Sequence, residues 1–113
     1  MTLEELTLTL RRFAAERAWE RFHTPKNLAM AVAGEAGELL AELQWLTPAE
    51  TASLSSDQLD AVGAEMADVL IYLCRLADVL GVDLLEVAQE KVAVNAQRFP
   101  TRGSITSNDV ELT

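Results

Sequence analysis

Two acidic pairs, Glu35-x-x-Glu38 and Glu65-x-x-Asp68, stand inside apolar helical runs of this chain. Residues three apart on a helix are neighbours, so each pair can reach a common point. At about 100° per residue, Leu28, Ala31, Val32, Leu39 and Leu46 fall on the side of the helix that carries Glu35, and Glu38 lies next to that stripe. Glu65 shares a face with Val62, Val69, Tyr72 and Leu76, and Asp68 is offset in the same way. If the two stripes pack together, four carboxylates converge. Close carboxylates repel one another, and burial raises the cost. Some must take up protons, or a cation must sit between them. Oxygen-only ligands suit hard ions, Mg²⁺ first and Mn²⁺ as the alternative. A di-iron bundle would want Glu-x-x-His, and the single histidine, His23, lies in a turn. One such acidic pair on a helix is ordinarily solvated. Two copies, both on apolar faces, argue for a metal site at Glu35, Glu38, Glu65 and Asp68.

Mg²⁺ is commonly bound by a few carboxylates together with substrate phosphates. Lys91, Asn95 and Arg98 are spaced i, i+4, i+7 and form one stripe. Alone it reads as a solvated basic face; beside a Mg²⁺ site it reads as a phosphate clamp. Trp19, Trp45 and Tyr72 are candidate platforms for a flat base, although aromatics at helix ends are more often packing residues.

Four helical stretches must position these groups. Thr2 and Glu5 form a capping box for the first, which carries Leu3, Leu6, Leu10 and Phe13 on one stripe and is expected to end near Arg21. Thr24 caps the second, with Pro25 at its first position, and the second runs to about Leu46. Thr47, Pro48 and Glu50 cap a short turn. The third runs from near Ser56 to Leu80, closed by Gly81. Asp83 and Glu86 form a capping box for the fourth, which ends near Arg98 before Pro100. The fold class is all-α. Residues 1–100 read as one domain, and residues 101–113 as a polar tail without periodicity.

Composition agrees. Half of the 113 residues are apolar and 5% are aromatic, and 18 acids against nine bases give a net charge of −9. That excludes a general grip on nucleic acid polymers, though not a small phosphorylated ligand carried by a divalent cation. Cys74 is the only cysteine and sits in an apolar run, where a buried, inert thiol is expected. The start does not read as a signal peptide, and no run reaches membrane-span length without charges. The cytoplasm is the expected location.

The stretches ERAWERFHTPKNLAMAVAGEAGELLAELQW, EMADVLIYLCRLADVLGVDL and KVAVNAQRFP resemble the MazG-like all-α nucleoside triphosphate pyrophosphohydrolases, most closely the deoxycytidine triphosphate pyrophosphatase branch. The likeness covers residues 3 to about 100. It implies that Glu35, Glu38, Glu65 and Asp68 bind Mg²⁺, that Lys91 and Asn95 face phosphates, and that Trp19, Trp45 and Tyr72 form a base pocket. The implied reaction is hydrolysis of a nucleoside triphosphate, dCTP or a modified dCTP first, to the monophosphate and pyrophosphate, a house-cleaning of the nucleotide pool. Glu38, with Glu35 beside it, is the candidate base, and Lys91 and Arg98 would stabilise the departing pyrophosphate. Leu10 stands where animal members carry a histidine, so weaker base selectivity is expected.

Between Ala61 and Leu80 the polar residues are Glu65, Asp68, Arg75 and Asp78, with apolar residues around the rest of the circumference. Such a helix is buried on all sides, which four short helices in one subunit cannot achieve. The resemblance implies a homotetramer, a dimer of dimers, with a homodimer as the alternative. Two other functions fit the same pattern: a non-enzymatic metal-binding assembly module, and a related phosphoribosyl-ATP pyrophosphohydrolase.

Overall fold

The computed structural model describes residues 1–101, and all regular structure among them is helical. The expected tail from residue 102 onward lies outside the described residues. The helices are α1 (Leu3–Glu16), α2 (Pro25–Leu43), α3 (Pro48–Thr51), α4 (Ser56–Leu80) and α5 (Leu84–Arg98), with a single 3₁₀ turn at Glu20–Phe22. The chain forms two compact units, Met1–Val82 and Asp83–Thr113.

Most helix ends follow from side chains that satisfy free backbone amides. Thr24 accepts from the Asn27 N–H, with Pro25 opening α2. Thr47 with Glu50, and Ser55 with Gln58, make complete reciprocal capping boxes. At Thr2 and Asp83 only half of the expected box forms: each side chain accepts from the amide three residues on. Gly81 adopts φ 69°, and the Val82 N–H reaches back to the Ala77 carbonyl, so α4 stops where a left-handed residue is available.

Two ends differ from the sequence expectation. α1 stops at Glu16 rather than near Arg21. Ala18 takes φ 54°, a left-handed conformation that costs a non-glycine residue roughly 1–2 kcal/mol. The amides of Arg17 and Trp19 both turn back to the Ala14 carbonyl, and the Trp19 ring meets Phe13 edge-on at 5.6 Å. α2 stops at Leu43 rather than Leu46. Pro48 forces the preceding residue out of helical conformation, and Thr47 is extended at φ −73°, ψ 161°.

In the first unit α4 packs chiefly against α2 and less against α1. The buried apolar residues are few and mostly small: Ala14, Leu28, Val62, Cys74 and Ala77. Cys74 is almost fully enclosed, and burial pushes its thiol above the ordinary range, which keeps it protonated and inert. Large apolar side chains on α2 and α4, among them Met30, Leu40, Leu59, Met66 and Leu70, are exposed in the single chain.

A charged tie joins α1 to α4. Asp78 accepts from Arg11 Nε at 3.0 Å and from Arg11 Nη2, and its Oδ2 also accepts from Arg75 Nη1 at 2.9 Å. The Arg11 hydrogen bonds, with the charges of Arg11 and Arg75, hold the Asp78 carboxyl below the ordinary 3.8 despite its burial. A depressed carboxylate stabilises the fold above its unfolded-state pKa, and that contribution is lost as pH falls through the folded value. Asp78→Asn is therefore expected to lower the urea midpoint at pH 7. The gap to wild type stays constant down to about pH 5 and begins to close as pH falls below 3.8. A gap that does not narrow below 3.8 would show that the tie does not act through charge.

Candidate active site

α2 and α4 bring three of the four acids together. Carboxylate oxygens of Glu35, Glu65 and Asp68 lie within 4.8 Å of one another, and all three side chains are half-buried. Glu65 Oε2 is shut off from solvent and has no hydrogen-bond partner among the described residues. Among the described residues of the first unit, no ion pair engages any of these acids. Burial first, then the charges of Glu35 and Asp68, side-chain hydrogen bonding with Glu35 and the charge of Glu38, push the Glu65 carboxyl above its ordinary value. An orphaned buried oxygen amid like charge is the arrangement a cation resolves. Three carboxylates that leave room for other ligands match the donor set of a hard divalent ion such as Mg²⁺ or Mn²⁺. Glu38 is exposed and stands outside the tight triad, though its charge still acts on Glu65.

Asp68 has a second neighbour. It forms part of the wall of a cavity of about 230 Å³ between α1, the segment that follows it and α4. Leu10, Phe13 and Ala14 line it from α1, and Trp19 and His23 from the connecting segment. Asp68, Ile71, Tyr72 and Arg75 line it from α4, at the i, i+3, i+4, i+7 spacing of one helical stripe. The left-handed turn at Ala18 makes this wall, because it folds Trp19 back onto Phe13. Trp19 also meets His23 edge-on at 6.2 Å.

Of the three aromatics expected to hold a base, Trp19 and Tyr72 line this cavity and Trp45 does not; Trp45 is 86% exposed. Leu10 lines it as an apolar side chain. Lys91, Asn95 and Arg98 lie on α5 in the second unit, with Lys91 and Arg98 exposed and the Arg98 guanidinium over the Phe99 ring at 5.1 Å. Sequence reasoning passed over His23 and Arg75 as participants. The available signal was a pair of charged residues, Arg75 and Asp78, three apart on an otherwise apolar helix.

With this geometry established, comparison with known proteins places the chain. The MazG-like family matches residues 31–108. A pyrophosphatase of known crystal structure from Archaeoglobus fulgidus is 38% identical and aligns with a TM-score of 0.82 over 87% of this chain and 92% of that one. The chain belongs to the MazG-like family. The dCTP pyrophosphatase 1 of Rattus norvegicus is 43% identical over 108 residues, 91% of this chain and 64% of that protein. The Homo sapiens protein of the same name is 43% identical over 101 residues, 88% of this chain and 59% of that protein. The chain thus spans less than two thirds of the length of these dCTP pyrophosphatases.

The crowded triad makes a direct prediction about the metal-free protein. A carboxyl raised above its unfolded-state pKa costs stability at pH values above the folded pKa and nothing below the unfolded one. Glu65→Gln removes that cost. The metal-free variant should melt higher than wild type at pH 7, with the gain vanishing below the ordinary glutamate value of 4.5. Added Mg²⁺ should raise the wild-type melting temperature and raise that of the variant less. A variant less stable than wild type in the absence of metal would contradict like-charge crowding.

Proposed function

We propose that the chain is a Mg²⁺-dependent pyrophosphohydrolase of nucleoside triphosphates, acting on dCTP or 5-substituted dCTP in the cytoplasmic nucleotide pool. Residues 1–100 would act as its one domain. A single observation carries the reading: Asp68 belongs both to the carboxylate triad and to the wall of an aromatic-lined cavity. A nucleotide has the same two-part form, a flat base at one end and a polyanion needing cations at the other. The names of the relatives support the substrate class, and their printed activity is theirs.

In this account Glu35, Glu65 and Asp68 hold the ion, with Glu38 at its edge. When bound, Mg²⁺ supplies countercharge to the triphosphate and polarises it toward attack. Trp19 and Tyr72 take the base by stacking. Glu38, exposed and so able to exchange its proton with water, accepts the proton of the water that attacks the α-phosphorus; Glu35 is the second candidate. The bond from the α-phosphorus to the bridging oxygen breaks, and pyrophosphate leaves. Lys91, Asn95 and Arg98 are proposed as phosphate contacts from their types and spacing. A screen of pyrophosphate release across the deoxynucleoside triphosphates tests this reading. Turnover should require Mg²⁺, be highest on dCTP and fall at least a hundredfold in Asp68→Asn, which keeps the helical fold. Near-wild-type turnover by that variant would remove the triad from the reaction.

We also propose that the chain works as a homotetramer, with a dimer as the smaller alternative. Exposed Met30, Leu40, Leu59, Met66 and Leu70 support this, as do helix-interior glycines. Gly34, Gly37 and Gly63 each cost about 1 kcal/mol relative to alanine, yet an added Cβ would meet nothing within 4 Å in the single chain. Close approach by a second copy accounts for them. Trp45 is then a base platform offered across a subunit boundary. Light scattering at micromolar concentration should report a tetramer or dimer, and Leu70→Arg should shift it to a smaller species; a folded wild-type monomer would overturn this.

A further inference from the structure

Arg75 is the one charged side chain buried among the described residues, with 7% of its surface exposed, and it lines the same cavity as Trp19 and Tyr72. Its Nε donates to His23 Nδ1 at 3.0 Å, and its Nη1 donates to Asp78 Oδ2 at 2.9 Å. Nη2 donates to none of the described residues. Because His23 Nδ1 accepts, the neutral ring carries its proton on Nε2. Burial and the Arg75 charge both favour that neutral form. Two guanidinium groups, Arg11 and Arg75, share the single carboxylate of Asp78, so the cluster holds one positive charge in excess.

The remaining walls are apolar or aromatic apart from Asp68, which is committed to the triad. The polar groups left over on the lining side chains are the Arg75 Nη2, His23 Nε2 and Trp19 Nε1 donors and the Tyr72 hydroxyl, which donates or accepts; the guanidinium is the charged one and can only donate. A base that fills the cavity displaces the solvent such a donor would otherwise meet, so a ligand that brings acceptors is favoured over one that does not. Cytosine offers two adjacent acceptors, O2 and N3, on one edge. Thymine and uracil interrupt that edge with the N3–H donor, which would point at a cation. A fixed guanidinium fork distinguishes these two patterns; a lysine ammonium, a freely rotating point charge, does so poorly.

Building on the nucleotide reading above, we propose that Arg75 is the specificity residue of this site, reading the O2/N3 edge of cytosine with its free N–H groups. His23 and Asp78 are positioning residues: by holding Nε and Nη1 they fix the plane of the guanidinium and leave Nη2 for the ligand.

The test compares wild type, Arg75→Ala and Arg75→Lys by calorimetric binding of dCMP and dTMP, alongside kcat and KM on dCTP and dTTP. Wild type should bind dCMP more tightly than dTMP. Arg75→Ala should lose about ten- to a hundredfold on the cytosine nucleotides, mainly in Kd and KM, and change little on the thymine ones. Arg75→Lys keeps the charge and the contact with Asp78 and should recover the fold but not the discrimination, which keeps the test decisive if Arg75→Ala unfolds. Variants that melt lower yet keep the wild-type dCMP-to-dTMP ratio would overturn the proposal and leave Arg75 as a structural tie. A wild type that prefers dTMP, or binds neither nucleotide, would overturn it as well. Absence of turnover on every triphosphate, together with an Arg75-dependent preference for dCMP, would sink the pyrophosphohydrolase reading and leave this one standing.

Discussion

The repulsion among Glu35, Glu65 and Asp68 is the constraint around which the first unit is arranged. Three carboxylates half-buried between two helices are a local cost to folding, and Glu65 Oε2, enclosed and unpartnered, concentrates it. Among the described residues of the first unit, no ion pair relieves it. On the function proposed above, a cation with its polyanionic ligand would remove that cost. Stability would then be given up at a place where binding restores it, the kind of place where local rules fail more than elsewhere.

The same helix that carries the triad carries the cavity. Going along α4 from Asp68 through Ile71 and Tyr72 to Arg75, one stripe passes from an anionic end to a cationic one within two turns. Asp78, one turn further, holds Arg75 and also anchors α1, whose Leu10, Phe13 and Ala14 close the opposite wall. Charge polarity, wall closure and helix packing therefore depend on one another.

Much of this was legible in the sequence, because helical periodicity is a local property. Angles of about 100° per residue placed Glu35 and Glu65 on apolar faces, and in the structure their carboxylates meet with that of Asp68. Glu38 was already offset from the stripe, and it is the exposed member. Thr24, Thr47 and Gly81 marked helix ends by chemistry that needs only near neighbours. What stayed hidden depends on distant contacts. Nothing local announces that Ala18 will turn left-handed, and that turn sets Trp19 and His23 against α4. The Arg11–Asp78 contact spans 67 residues and the Arg75–His23 contact 52, so neither follows from periodicity. Trp45 shares its residue type with Trp19 but sits in the turn beyond α2, out of reach of any pattern argument that would assign it to this cavity.

The central claim is that the orphaned oxygen of Glu65 is a cation ligand. The most direct measurement is a crystal structure of the protein soaked in Mn²⁺, with data collected for anomalous scattering. The account predicts an anomalous peak among the carboxylates of Glu35, Glu65 and Asp68, at roughly 2.0–2.3 Å from Glu65 Oε2, a bonding distance for a small divalent ion. A structure without that peak, in which Glu65 is protonated and hydrogen-bonded to Glu35, would contradict it.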